Sequence, residues 1–114
     1  MLLFRVLLVI MFSVLSVYTA IVIGKHGIDL LPVFFGDMMQ MNWPGQFNLD
    51  FMGFLALSAV WTAWRHHFSP LGLALAVIAF FGGTAFLTVY LLVASFQVKG
   101  DVKALLLGPQ RAAA

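Results

Sequence analysis

The chain has no cysteine, which excludes a disulfide framework and any thiolate-held metal. It is also poor in charge. Charged residues make up 9% of its 114 residues, against about a quarter in soluble domains, too few to cover an aqueous surface. The six Lys and Arg residues are scattered, so no nucleic-acid-binding surface is expected. No nucleophile–base pair, phosphate-binding loop or pair of carboxylates appears, and catalysis is not expected. What fills the chain is apolar: 63% of residues are hydrophobic and the mean hydropathy is +1.06. The length suits one domain, and lipid is the expected solvent for most of its surface.

The pattern predicts an all-α membrane protein with three spans, an interfacial first connection (residues 25–48) and a C-terminal tail (residues 97–114). The first span, residues 2–24, has an apolar run longer than a signal-peptide core and is read as a retained transmembrane helix. The second, residues 49–64, covers about 24 Å at 1.5 Å per residue, short of the roughly 30 Å hydrocarbon layer. Snorkelling of Arg65 and interfacial placement of Trp61 and Trp64 are expected to make up the deficit, with Trp43 anchoring the opposite end. The third, residues 70–96, is long enough to cross with tilt, and Pro70 suits its first turn. Within the first connection, a short interfacial helix is expected near Pro32. In the tail, Leu105-Leu106-Leu107 suggests one helical turn before a Gly108-Pro109 stop.

Small residues mark the faces that neighbouring backbones can approach. They are Ser13, Ser16 and Ala20 with Gly24 in the first span, Ala56, Ala59 and Ala63 in the second, and Gly72, Ala76, Ala79 and Gly83 in the third. These seams either meet one another in a three-helix bundle or meet a larger partner; spacing alone leaves both open.

Three straight spans place the first connection and the tail on one side, and the N-terminus and the His66-His67 loop on the other. Adjacent helical residues do not face the same way, so the two loop histidines are a poor chelating pair, and no metal site is expected. The side of the first connection is richer. There Lys25, His26, Asp29, Gln46, Asn48 and Asp50 form a candidate polar pocket for a lipid headgroup, a quinone or a partner's side chain. A carboxylate at the head of a membrane helix is a functional candidate. The structural alternative makes Pro44-Gly45 the turn, Asn48 the N-cap and Asp50 a partner for the helix dipole. Tyr90, near mid-span, needs a hydrogen-bond partner. Gly82-Gly83 marks either a close approach or a weakened helix.

The segments "KHGIDLLPVFF", "NWPGQFNLDF", "WTAWR" and "GGTAFLTVY" together resemble small bacterial three-span membrane proteins, families defined only as domains of unknown function. The resemblance covers residues 1–96 and implies a multi-pass protein of the bacterial inner membrane. It implies no activity.

Four bases on the tail side against two on the other favour a cytoplasmic tail by the positive-inside rule. The leading expectation is a non-catalytic accessory subunit of a larger respiratory or photosynthetic membrane complex. It would have no intrinsic cofactor, with lipid, quinone or pigment held at partner interfaces. The alternatives are a free-standing lipid-, quinone- or carotenoid-binding protein and a small oligomeric transporter.

Overall fold

The computed structural model describes all residues, Met1–Ala114. The protein is all-helical: α1 (Leu2–His26), α2 (Leu30–Met39), α3 (Trp43–Arg65), α4 (Pro70–Gln97), α5 (Val102–Leu107) and α6 (Pro109–Ala113). By length and composition two helices, Leu2–His26 and Pro70–Gln97, are long and apolar enough to cross a membrane, although the second is broken at Gly83. Only 13 of 114 residues are buried, so most of the apolar surface is left for a non-aqueous environment or for another protein.

α3 begins six residues earlier than the sequence reading placed it. Asn42, not Asn48, is the N-cap, and its side-chain oxygen accepts from Gly45 N at 3.0 Å. Pro44-Gly45 is therefore not a turn before the helix but its first turn, where Pro44 has no intrahelical partner to lose. Gly45 is buried because the α2 backbone crosses directly over it; an added Cβ would collide with Asp37 O and would lie 2.8 Å from Met38 Cα. Running from Trp43 to Arg65, α3 is about 34 Å long, and the expected shortfall disappears.

α4 departs most from expectation. Gly83 sits at φ 55°, ψ −136°, a backbone region open to glycine and closed to L side chains. There the chain reverses. A straight helix would hold Tyr90 about 30 Å from Pro70, yet the Tyr90 hydroxyl lies 2.6 Å from His66 Nε2, four residues before Pro70. At Gly82 an added Cβ would meet Phe86 Cβ at 2.6 Å, a contact that no continuous helix makes. Residues 70–82 and 84–97 are thus two arms of a helical hairpin, each about 20 Å long. The hairpin tip lies beside Phe51 and Leu55, whose side-chain carbons would be 3.2 and 3.4 Å from a Cβ on Gly83. That level is 10 to 14 residues before Arg65, or about 15–21 Å along the α3 axis.

The first arm packs on α3 where both are small. Gly72 and Ala63 are buried, and a Cβ on Gly72 would lie 3.2 Å from Ala63 O; Ala79 is fully buried. Of the other seam residues, Ala59 and Ala76 are half-buried and Ala56 is exposed. Gly83 belongs to no seam, because it is the bend. α1 packs against α4 rather than making a closed bundle with α3. It is held near its start: Leu8 is buried, while Ser13, Ser16, Ala20 and Gly24 are all exposed. The small face expected on the first span therefore has no partner within the chain.

Candidate functional site

The polar groups expected to form a pocket are not brought together. Lys25, His26 and Asp29 lie at the α1–α2 junction, and Gln46 and Asp50 lie on α3; all five are exposed. Asn48 is the one engaged, its Nδ2 donating to Phe34 O of α2 at 3.0 Å. It ties α2 to α3 instead of capping. What this end of the molecule does contain is an apolar chamber of about 530 Å³ beyond the hairpin tip. Phe34 and Phe35 of α2, Phe51 and Leu55 of α3, and Phe80 and Phe81 of the first arm line it. The chamber exists because the hairpin stops partway along α3.

The polar chemistry is at the opposite end. Arg65 was expected to snorkel; it is 5% exposed instead, and its guanidinium is fully directed. Nε donates to Leu105 O at 2.7 Å, Nη2 to Ala104 O at 3.4 Å and Nη1 to the Tyr90 hydroxyl at 3.0 Å. No carboxylate faces it. Its partners are terminal carbonyls of α5, at the negative end of the helix dipole; Leu105 O has no intrahelical donor, while Ala104 O also accepts from Gly108 N at 2.9 Å. Trp61 Nε1 satisfies a third, Leu106 O, at 3.0 Å.

The arrangement is reciprocal. Arg111 of α6 donates to Trp64 O at the end of α3, and its guanidinium lies 3.9 Å from the centre of the Trp64 ring. Each arginine caps the other segment's helix C-terminus. Gly108, at φ 88°, allows the close contact, since a Cβ there would be 2.9 Å from Arg65 O. Pro109 does not simply stop a helix; it opens α6 at its first turn. The tail is therefore folded onto Trp61, Trp64 and Arg65. This corrects the expected sidedness: tail and His66-His67 loop share one end.

Tyr90 is the hub. Its ring stacks on Phe86 at 5.5 Å and meets Trp61 edge-on at 5.9 Å. Arginine can only donate, so the hydroxyl accepts from Arg65, and it is also hydrogen-bonded to His66 Nε2 at 2.6 Å. Burial, then the neighbouring Arg65 and His67 charges, lowers the His66 pKa below its ordinary value. Each cause favours the neutral imidazole.

The same end receives the start of α1. Arg5 donates to Ser95 Oγ and to Ser95 O, both at 3.0 Å, and lies over the Phe96 ring at 3.8 Å. Gly100, at φ 80°, sits against Met1. His26 lies at the far end of α1, apart from His66 and His67, as expected. Sequence reasoning passed over Arg5–Ser95, Arg65–Tyr90 and Arg111–Trp64. Three arginines bordering apolar runs, together with Gly82-Gly83 at mid-helix, were the available signal. No protein-family model, curated protein or solved structure matches the chain.

Proposed function

We propose that the chain is a non-catalytic accessory subunit of a larger complex in the bacterial inner membrane, such as a respiratory or photosynthetic assembly. In this reading α1 and α3 cross the bilayer and α4 enters and leaves from one face. Helices carry irregular backbone at membrane depth only where protein covers it, and α3 lies beside Gly83 in that way. The observation that carries the reading is α1. It is held at Arg5 and Leu8, while its remaining length, with Ser13, Ser16 and Ala20 exposed on it, touches little of its own chain. A small-residue face on a membrane helix fits the close approach of another subunit's helix. No cofactor of its own is needed; lipid, quinone or pigment would sit at the interface with that partner.

Purification from native membranes in mild detergent tests this. A mass far above 12.5 kDa with stoichiometric foreign subunits is expected. A lone small oligomer would overturn it.

One observation favours a second reading, a free-standing protein that binds an apolar molecule. The chamber of about 530 Å³ has five phenylalanines among its lining residues and falls in the size range of ligand sites. Its occupant would be an acyl or isoprenoid chain, as in a lipid, quinone or carotenoid. Extraction of the purified protein into organic solvent, followed by mass analysis, would find one such molecule per chain. A transporter reading gains no support, because Asp50 is exposed and lines no path through the chain.

A further inference from the structure

Reversal at Gly83 redistributes the charges of the whole molecule. Arg5 is tied to Ser95, Arg65 to Leu105 and Tyr90, and Arg111 to Trp64. Lys99 lies between Ser95 and α5 and Lys103 in the first turn of α5, both exposed. Five of the six bases thus gather at one end, with Asp101 the single acid among them. The other end keeps Lys25 beside Asp29, Asp37 and Asp50. Three straight spans would have divided the bases four against two. The hairpin makes the division five against one.

We propose that this basic end is the cytoplasmic face and that it docks on the anionic headgroups of the inner leaflet. The N-terminus, the 66–69 loop and the tail all lie on it, and Lys99 and Lys103 are the free cations that meet lipid phosphate. Arg5, Arg65 and Arg111 are already directed at protein groups, so the lysines supply the lipid contact. The lysines flank Gly100 and Asp101, just beyond the second arm, at the level where that arm leaves the apolar layer. Bases near a membrane surface are attracted to anionic lipid and set orientation. This inference rests on the membrane reading of the chain and not on the accessory-subunit reading.

The absence of cysteine makes the test direct, because single-cysteine variants are labelled at one place only. Met39→Cys, His67→Cys and Gln110→Cys, all at exposed positions, would be treated with a membrane-impermeant maleimide in spheroplasts, before and after lysis. Met39→Cys is expected to label in intact spheroplasts, and the other two only after lysis. Labelling of His67→Cys and Gln110→Cys from opposite sides would overturn the shared face. Labelling of both from outside would overturn its cytoplasmic assignment. Alkaline extraction of the same membranes separates the two levels of failure, since release of the chain would refute the membrane reading itself.

For the lipid contact, delipidated protein in neutral detergent would be titrated with phosphatidylglycerol and phosphatidylcholine. Preference for the anionic lipid is expected to fall about fivefold for each of Lys99→Gln and Lys103→Gln. Equal binding of the two lipids by the unsubstituted protein would overturn the docking.

Discussion

Replacing Arg65 by alanine should release the tail while leaving the α3–α4 hairpin assembled. The magnitude follows from the contacts. The bonds of Arg65 to the tail are to Leu105 O at 2.7 Å and to Ala104 O at 3.4 Å, and the short charge-assisted one contributes about 1.5–3 kcal/mol. Without the guanidinium, Leu105 O is left with no donor at its buried residue, a penalty of about 1–3 kcal/mol. Against this, a cation is no longer held out of solvent, which offsets much of the loss. The balance is a loss of about 1–2 kcal/mol in tail docking, or roughly 5- to 30-fold in the open population. Hydrogen exchange on the α5 and α6 amides reads that population. Helices of six and five residues have no stability of their own in solution, so protection of Leu105 N, Gly108 N and Ala112 N reports docking. Arg65→Lys should fall between the two, since an ammonium cannot span both α5 carbonyls and Tyr90 as a planar fork does. Exchange in Arg65→Ala within about threefold of the parent would refute the reasoning, because it would mean that the capping contacts do not hold the tail.

Gly83→Ala places a Cβ in a backbone region that L residues avoid and within 3.2 Å of Phe51 Cζ; a loss of about 2–4 kcal/mol is expected, read as a fall in thermal midpoint in detergent. Gly45→Ala should separate α2 from α3 and expose the Asn48–Phe34 contact, seen as faster exchange across residues 30–39 with the α5–α6 amides unchanged. The pH dependence of stability follows from His66. Burial and the adjacent Arg65 and His67 lower its pKa in the folded chain, so the unfolded form binds more protons as the pH falls below about 6.5, and stability is lost progressively through that window. Above about pH 7 stability should not depend on this group; a thermal midpoint that rises on acidification would contradict the assignment.

Much of the fold was legible because apolar run length and capping chemistry are local. The helical class, α1, the Pro70 start and the short helix near Pro32 all follow from such signals. The start of α3 is ambiguous in sequence because Asn48 and Asp50 carry the same local capping signal as Asn42, which performs the role from farther upstream. The break in α4 was not legible from hydropathy. A largely apolar segment of 28 residues reads the same whether straight or folded, and glycine pairs occur in straight membrane helices too. What decides it is tertiary: the second arm finds His66 and Arg65 for Tyr90, and α1 finds Ser95 for Arg5. The candidate pocket failed for a related reason. Its residues were grouped by a shared side of the membrane, a far looser constraint than contact. The junction at Arg65 was hidden because it joins residues 40 and 47 positions apart, Arg65 with Leu105 and Trp64 with Arg111.

The hairpin and the buried arginine explain each other. Were α4 straight, its last residue would lie about 40 Å from Pro70, and α5 could not reach Arg65. The arginine would then face either a search for solvent or burial without partners. With the chain reversed, α5 arrives carrying unpaired carbonyls that need donors, and the end of α3 presents Arg65 and Trp61 as donors that need acceptors. Neither set is satisfied locally, so the reversal at a single glycine and the docking of the tail are parts of one solution. The same reversal leaves the first turns of α3, before Phe51, without an α4 neighbour. That space becomes the phenylalanine-lined chamber under α2. One backbone bend therefore sets which end of the molecule is polar and internally satisfied, and which end is apolar and open to an occupant.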